Sequence, residues 1–374
     1  MSDLSAADRR AQHESLDAWR GVAILLVFVF HAFLELNVSG PDEDADIGWV
    51  GRIASAPLGY FFPQHLGVFG VQLFFVISGF CIHRSTLDWD ARTPTATAGQ
   101  RWRAFATRRF WRIYPLYALV LGVLFVLKAS PPRPDGVDRI GDLFVHAGML
   151  HSLVPDHINL ISPSLWSLAV EVQLYALYPL VWLAFRRFGP LRTVAVGAIF
   201  ALGWELGVPQ LTRSPWIVNL PWRWGFEWLL GAYVAATVGT GPRGKVVLLA
   251  AAVGAAVLMT TRSPILYATV APLVFALVVA WAAQRRASSP PERALAALGR
   301  VSYPLYLVHG PVFSALGAAL VARGVRTVDL GPFLVTTGVT FVVTTAGAWA
   351  LEHLGRTVQR RGLRLGRLYR TGNR

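Results

Sequence analysis

Ten apolar runs of about 15–22 residues leave this chain few folds. They lie near 19–38, 66–83, 113–128, 166–185, 191–207, 226–239, 245–260, 265–283, 303–322 and 330–351. A helix rises 1.5 Å per residue, so runs of this length match a hydrocarbon layer about 30 Å thick. The stretch 142–154 is apolar but too short to cross, and reads as a surface or re-entrant helix. The expectation is an all-α, polytopic integral membrane helix bundle of about ten transmembrane helices. It forms a single domain over 1–374, with its core at 16–352 and a basic cytoplasmic tail at 353–374. The chain is 54% hydrophobic and only 15% charged, where soluble domains carry about 25% charged residues. The first apolar run is long and no small-residue cleavage motif follows His31, so no cleavable signal peptide is expected. The single cysteine, Cys81, excludes an intrachain disulfide and any multi-cysteine metal site, and no metal is expected.

Charge sets the orientation. With the N-terminus inside, 26 of the 35 Lys and Arg residues fall in inside segments and nine in outside loops. The positive-inside rule then places both termini and the 84–112 segment in the cytoplasm. The acidic stretch 41–46 and the long loop 129–165 fall outside. The net charge of +14 is topology plus attraction to anionic membrane lipid, so no nucleic-acid partner is expected.

Several ionisable groups sit where lipid disfavours them. Arg20 and His31 stand eleven residues apart in the first run, on one helical face and about 16 Å apart along the axis. An arginine at membrane depth costs roughly 2.5 kcal/mol or more, so such groups point to function. The alternative is that Arg20 snorkels to the interface and His31 is a packing histidine. In the fourth run Ser167, Glu171, Tyr175 and Tyr178 form one polar stripe. Counted from the span ends, Glu171 and His31 both fall in the outer half, where they could meet. Ser302, Tyr306 and His309 share a face at the start of the ninth run. Arg108, Arg109 and Arg112 cluster at the cytoplasmic mouth of the third, either as topology signals or as an anion site of guanidinium forks. The run Gly70 to Phe80 reads most simply as close packing through Gly70 and Gly79.

Together these segments resemble the acyltransferase 3 family of polytopic membrane O-acyltransferases. The resemblance runs from Leu16 to about Glu352. It is carried by Leu16 to Gly21 with His31, Phe74 to Phe80, Arg108 to Pro115, Trp166 to Glu171, and Leu298 to His309. Departures are Ala18-Trp19, Val172 after Glu171, Gly310 after His309, and Glu352-His353-Leu354 in place of a Glu-Arg-Pro pattern. The resemblance implies transfer of an acyl group, often acetyl from acetyl-CoA, to a hydroxyl of a sugar or glycosylated acceptor. It also implies a multi-pass protein of the bacterial inner membrane.

Acyl transfer from a thioester needs a base for the hydroxyl proton and a cation or dipole for the developing oxyanion. His31 is the candidate base and Glu171 its candidate orienting carboxylate, as in a triad. Arg20, Arg109 and Arg112 are candidates for the CoA phosphates. Tyr175, Ser302, Tyr306 and His309 are candidates for substrate binding. His151 to Asp156 shows the H-x-x-x-x-D spacing of glycerolipid acyltransferases, but Pro155 interrupts it in an outside loop, so it is given no role. The rival reading is a proton-coupled transporter of a small polar solute. Against it, the chain shows neither a repeated half nor paired broken spans.

Overall fold

The computed structural model describes residues 6–37, 64–127, 138–158, 160–211, 217, 219–238, 249–254, 256, 263–285, 289–325 and 329–371. The acidic stretch 41–46 and most of the expected span 245–260 lie outside the described residues. The described secondary structure is helical. In chain order it comprises α1 (Ala6–Asn37), α2 (Gln64–Arg92), α3 (Ala98–Val126), α4 (Arg139–Ala147), α5 (Trp166–Phe188) and α6 (Pro190–Leu211). There follow α7 (Gly225–Thr237), α8 (Pro264–Ala282), α9 (Pro290–Arg300), α10 (Ser302–Val321) and α11 (Leu330–Thr371).

Eight of the described helices are long and apolar enough to cross a membrane: α1, α2, α3, α5, α6, α8, α10 and α11. The expected span 226–239 is not among them. α7 has 13 residues, which reach only about 20 Å and fall short of the hydrocarbon thickness. It is an interior helix, with Phe226, Trp228, Leu230, Val234 and Ala235 buried. It presses against α2 where both helices are bare: a Cβ on Gly79 would run into the Trp228 carbonyl, and one on Gly231 into the Val76 carbonyl. The close-packing reading of Gly79 is therefore correct, because small residues let helix backbones approach. The outward faces are apolar. Leu119 and Val123 of α3, Leu180 and Leu183 of α5, Val196 and Ile199 of α6, and Val335 and Val342 of α11 are exposed. Such a girdle suits contact with lipid chains.

Two further features position the site. α9 is a short helix opened by a capping box of Ser289 and Glu292, and it packs on α1. There Gly299 meets the Asp17 carbonyl and Gly21 the Leu295 carbonyl, with no room for a side chain at either glycine. α11 runs 42 residues without interruption, about 63 Å at 1.5 Å per residue, twice the hydrocarbon thickness. The tail set apart at 353 is thus the continuation of the last spanning helix.

Candidate active site

Five spanning helices, α1, α2, α3, α5 and α11, and the α9–α10 junction line a cavity of about 570 Å³, within the usual range for small-molecule sites. Arg20 enters it from α1, Arg109 and Arg112 from α3, Glu171 and Tyr175 from α5, and Ser302 and Tyr306 from α10. Seven of the nine residues singled out in the sequence therefore share one chamber. The other two, His31 and His309, lie outside its lining and face each other.

The arginines are held individually. Arg20 donates from Nη1 to Asp17 Oδ1 at 2.8 Å and from Nη2 to Cys81 Sγ at 3.2 Å. Arg109 donates from Nη2 to Ser85 Oγ at 3.0 Å and lies over the Phe105 and Tyr175 rings. Its buried Nε has no hydrogen-bond partner among the described residues. Arg112 donates to Glu352 Oε1 at 2.8 Å, and Arg356 donates to the same oxygen at 2.9 Å. Six arginines line the cavity against three carboxylates, Asp17, Glu171 and Glu352. An arginine-rich chamber of this sign favours an anionic ligand.

Glu171 does not meet His31. Its Oε1 accepts from Ser78 Oγ at 2.6 Å and from Tyr175 Oη at 2.5 Å, so it belongs to the arginine chamber. Depth counted along each helix placed the two residues at one level, but depth says nothing of lateral position. At the level of Arg20 α1 meets Cys81 of α2, whereas three turns on, at His31, it meets His309 of α10. The carboxylate near His31 is instead Glu35, one turn on, with its Oε1 4.0 Å from His31 Nδ1. Glu35 is steadied by Ser314, whose Oγ donates to Oε2 at 2.5 Å. The i, i+4 spacing of His31 and Glu35 was the signal that sequence reasoning passed over.

The His31 and His309 rings stand edge to face, with centroids 4.7 Å apart. His309 Nδ1 lies 2.8 Å from the Tyr306 carbonyl. A carbonyl only accepts, so Nδ1 carries the proton and Nε2 keeps its lone pair. That Nε2 is buried and without a hydrogen-bond partner among the described residues. One layer separates the histidine pair from the chamber. Tyr306 bonds Ser167 Oγ at 2.7 Å and the Ser164 carbonyl, and its ring lies 5.5 Å from that of His309. Ser302 is buried beside this layer.

The His151–Asp156 spacing forms no pair. Asp156 is exposed in a left-handed turn at φ 66°, a conformation aspartate tolerates. His151 is buried, stacked on His146 at 4.2 Å, with its Nε2 3.2 Å from the Leu165 carbonyl. Asp142 Oδ1 lies 2.9 Å from His146 Nδ1 and 3.1 Å from His157 Nδ1. Burial and the neighbouring His146 push the His151 imidazole down to about 3. Burial alone would raise the Asp142 carboxyl, but His146 and His157 hold it below the usual carboxylate range. Gln173 of α5 donates to the Met149 carbonyl at 2.8 Å, and Tyr117 of α3 to the His146 carbonyl at 2.8 Å. The cluster thus seats the 138–158 segment on the bundle. Among the described residues, no group of three or more His, Cys, Asp or Glu could hold a metal.

Comparison with known proteins places the chain. The profile of the acyltransferase 3 family, described as an acyltransferase domain, matches residues 13–353. The chain belongs to this family. It is an acyl-transferring enzyme, and its apolar helices make it a multi-pass membrane protein. A relative, acyltransferase MdmB of Streptomyces mycarofaciens, is 29% identical over 275 residues, 65% of this chain and 67% of the relative. No solved structure matches the chain. Sequence reasoning missed Ser78, Glu35 and the cavity residues beyond Glu352. Ser78 lay in a run read as packing, and the residues beyond Glu352 in a tail read as topology charge.

Proposed function

We propose that this membrane acyltransferase moves an acyl group, acetyl in the simplest case, from acyl-CoA to a hydroxyl of a sugar or glycosylated acceptor. The observation that carries the reading is the single chamber joining Arg20, Arg109 and Arg112, which ends one side-chain layer from a buried histidine pair. Both ends of the chain lie on the cytoplasmic side of a bacterial inner membrane, as the arginine distribution favours. The donor enters the arginine chamber from inside, where guanidinium forks grip its phosphates. The acceptor approaches His31 from the other face.

In this scheme His31 takes the proton of the acceptor hydroxyl as its oxygen attacks the thioester carbon. Collapse of the tetrahedral species breaks the C–S bond, and the proton passes from His31 to the departing sulfur, leaving an ester and a free thiol. Glu35 orients His31 and stabilises the imidazolium as it forms. His309 presents its Nε2 lone pair beside His31. Tyr306, Ser302 and Tyr175 bind along the path between donor and acceptor. Glu171 shapes the donor chamber through Ser78 and Tyr175.

The test uses purified protein in detergent, acetyl-CoA, a panel of glycosylated acceptors, and liberated thiol as the readout. Arg109→Ala and Arg112→Ala should each raise the donor KM about 10- to 100-fold, since a charge-assisted contact is worth about 1.5–3 kcal/mol. His31→Ala should cut turnover to a small residual rate while donor binding persists. Absence of thioester turnover by the wild-type protein across the panel would overturn the reading. So would near wild-type turnover by His31→Ala.

A further inference from the structure

α11 carries cavity residues beyond the point where the membrane span was expected to end. No proline follows Pro332, so nothing in the backbone stops the helix at Glu352. Past that point the helix leans along α3. Gly355 faces Leu116, and Gly362 is buried directly against the indole of Trp111, where a Cβ has no room. This contact holds the extension over the mouth of the arginine chamber. Arg356, Gln359 and Arg360 line the chamber from it, at a spacing of three and four residues that puts them on one helical face.

The charges are arranged for an anion. Glu352, with its side chain 4% exposed, holds Arg112 and Arg356 through one oxygen. The two guanidiniums, from two helices far apart in sequence, are thereby fixed side by side, with most of their ten N–H donors left over. Arg360, one turn beyond Arg356, makes no hydrogen bond or ion pair with a described residue. Neutralising lipid-facing charge does not need such an arrangement, because these side chains line the cavity rather than the apolar outer face.

We propose that the extension of α11 past Glu352 is a wall of the donor site and that Arg356 and Arg360 hold phosphate groups at the nucleotide end of the thioester donor. The proposal rests on the acyl-CoA reading above. The ligand chemistry is a phosphate ester gripped by guanidinium forks, which a nucleotide or an anionic lipid headgroup could each supply. The donor is favoured because Arg356 shares its carboxylate with Arg112, which lines the same chamber.

The experiment compares acetyl-CoA with S-acetyl-pantetheine, which keeps the thioester and lacks every phosphate. It uses the full chain in nanodiscs of phosphatidylcholine, with or without phosphatidylglycerol. Arg356→Ala combined with Arg360→Ala should lower the ratio of kcat/KM for acetyl-CoA to that for S-acetyl-pantetheine tenfold or more in both lipids. Gly362→Leu, which forces the extension off Trp111 while keeping every arginine, should lower the same ratio. An unchanged ratio in these variants, with the wild type active on both donors, would overturn this proposal and leave the acyl-CoA reading standing. A defect seen only with phosphatidylglycerol would assign the arginines to lipid headgroups and overturn it too. A wild type that consumes neither thioester would remove the acyl-CoA reading and this proposal together.

Discussion

The pairing of His31 with Glu35, rather than with Glu171, can be decided by a double-mutant cycle. Glu35 Oε1 lies 4.0 Å from His31 Nδ1, both side chains are largely buried, and Ser314 holds the carboxylate in place. When His31 takes a proton, a positive charge forms about 4 Å from a negative one. Coulomb's law gives about 4 kcal/mol at an effective dielectric of 20 and about 1 kcal/mol in bulk water. Glu35→Gln keeps the shape and removes the charge, so kcat should fall by roughly 5-fold at the weak limit and about a thousandfold at the strong one. The donor KM should stay put, because Glu35 lies outside the arginine chamber. The plot of kcat against pH should also shift, as expected when a residue acts through the base. The assay is thiol release under saturating donor. Adding Glu35→Gln to His31→Ala should cost nothing further, since the two act as one unit. Glu171→Gln should behave otherwise: it should weaken donor use in the presence or absence of His31, because Ser78 and Tyr175 are its partners. If the losses from Glu35→Gln and His31→Ala multiply while those from Glu171→Gln do not, the assignment is reversed and the lateral separation of Glu171 from His31 carries no weight.

Acid should loosen the 138–158 segment. Its buried His151 stays neutral down to about 3 while the unfolded imidazole takes a proton near 6.5, so stability is lost as pH falls below 6.5. Asp142, held below the usual carboxylate range, loses its contribution in the same direction at lower pH. At pH 5 local opening should be easier by about 2 kcal/mol, roughly thirtyfold in amide exchange corrected for intrinsic rates. His151→Phe should flatten that dependence, and a flat wild-type profile would contradict the burial argument. For topology, in a Cys81→Ser background, a cysteine at position 45 should react with an impermeant reagent in intact cells and one at position 95 should not. The opposite pattern would put the donor chamber on the wrong side of the membrane.

The sequence by itself determined the class of fold and most of the chamber. Apolar run length is a local property with one stable outcome in lipid, an unbroken helix, so α1, α2, α3, α5, α6, α8, α10 and α11 were legible. Arg20, Glu171 and Tyr306 were legible for a related reason: a polar group in an apolar run is costly unless it faces a cavity. Arg109 and Arg112 were legible as clustered guanidiniums at the mouth of the third run. Tertiary structure alone decided which of them meet. Helical spacing fixes the face and depth of a residue on its own helix but not which neighbour that face addresses. Glu171 therefore went to Ser78 and Tyr175, and His31 to Glu35 and His309. The run at 226–239 shows the same limit. Its described helix, α7, is short and buries its apolar residues against Gly79 of α2 rather than facing lipid, a placement that composition does not reveal. The arginines past Glu352 read as tail charge until Gly362 was found against Trp111, because one missing side chain, matched to one distant indole, lays that helix over the chamber.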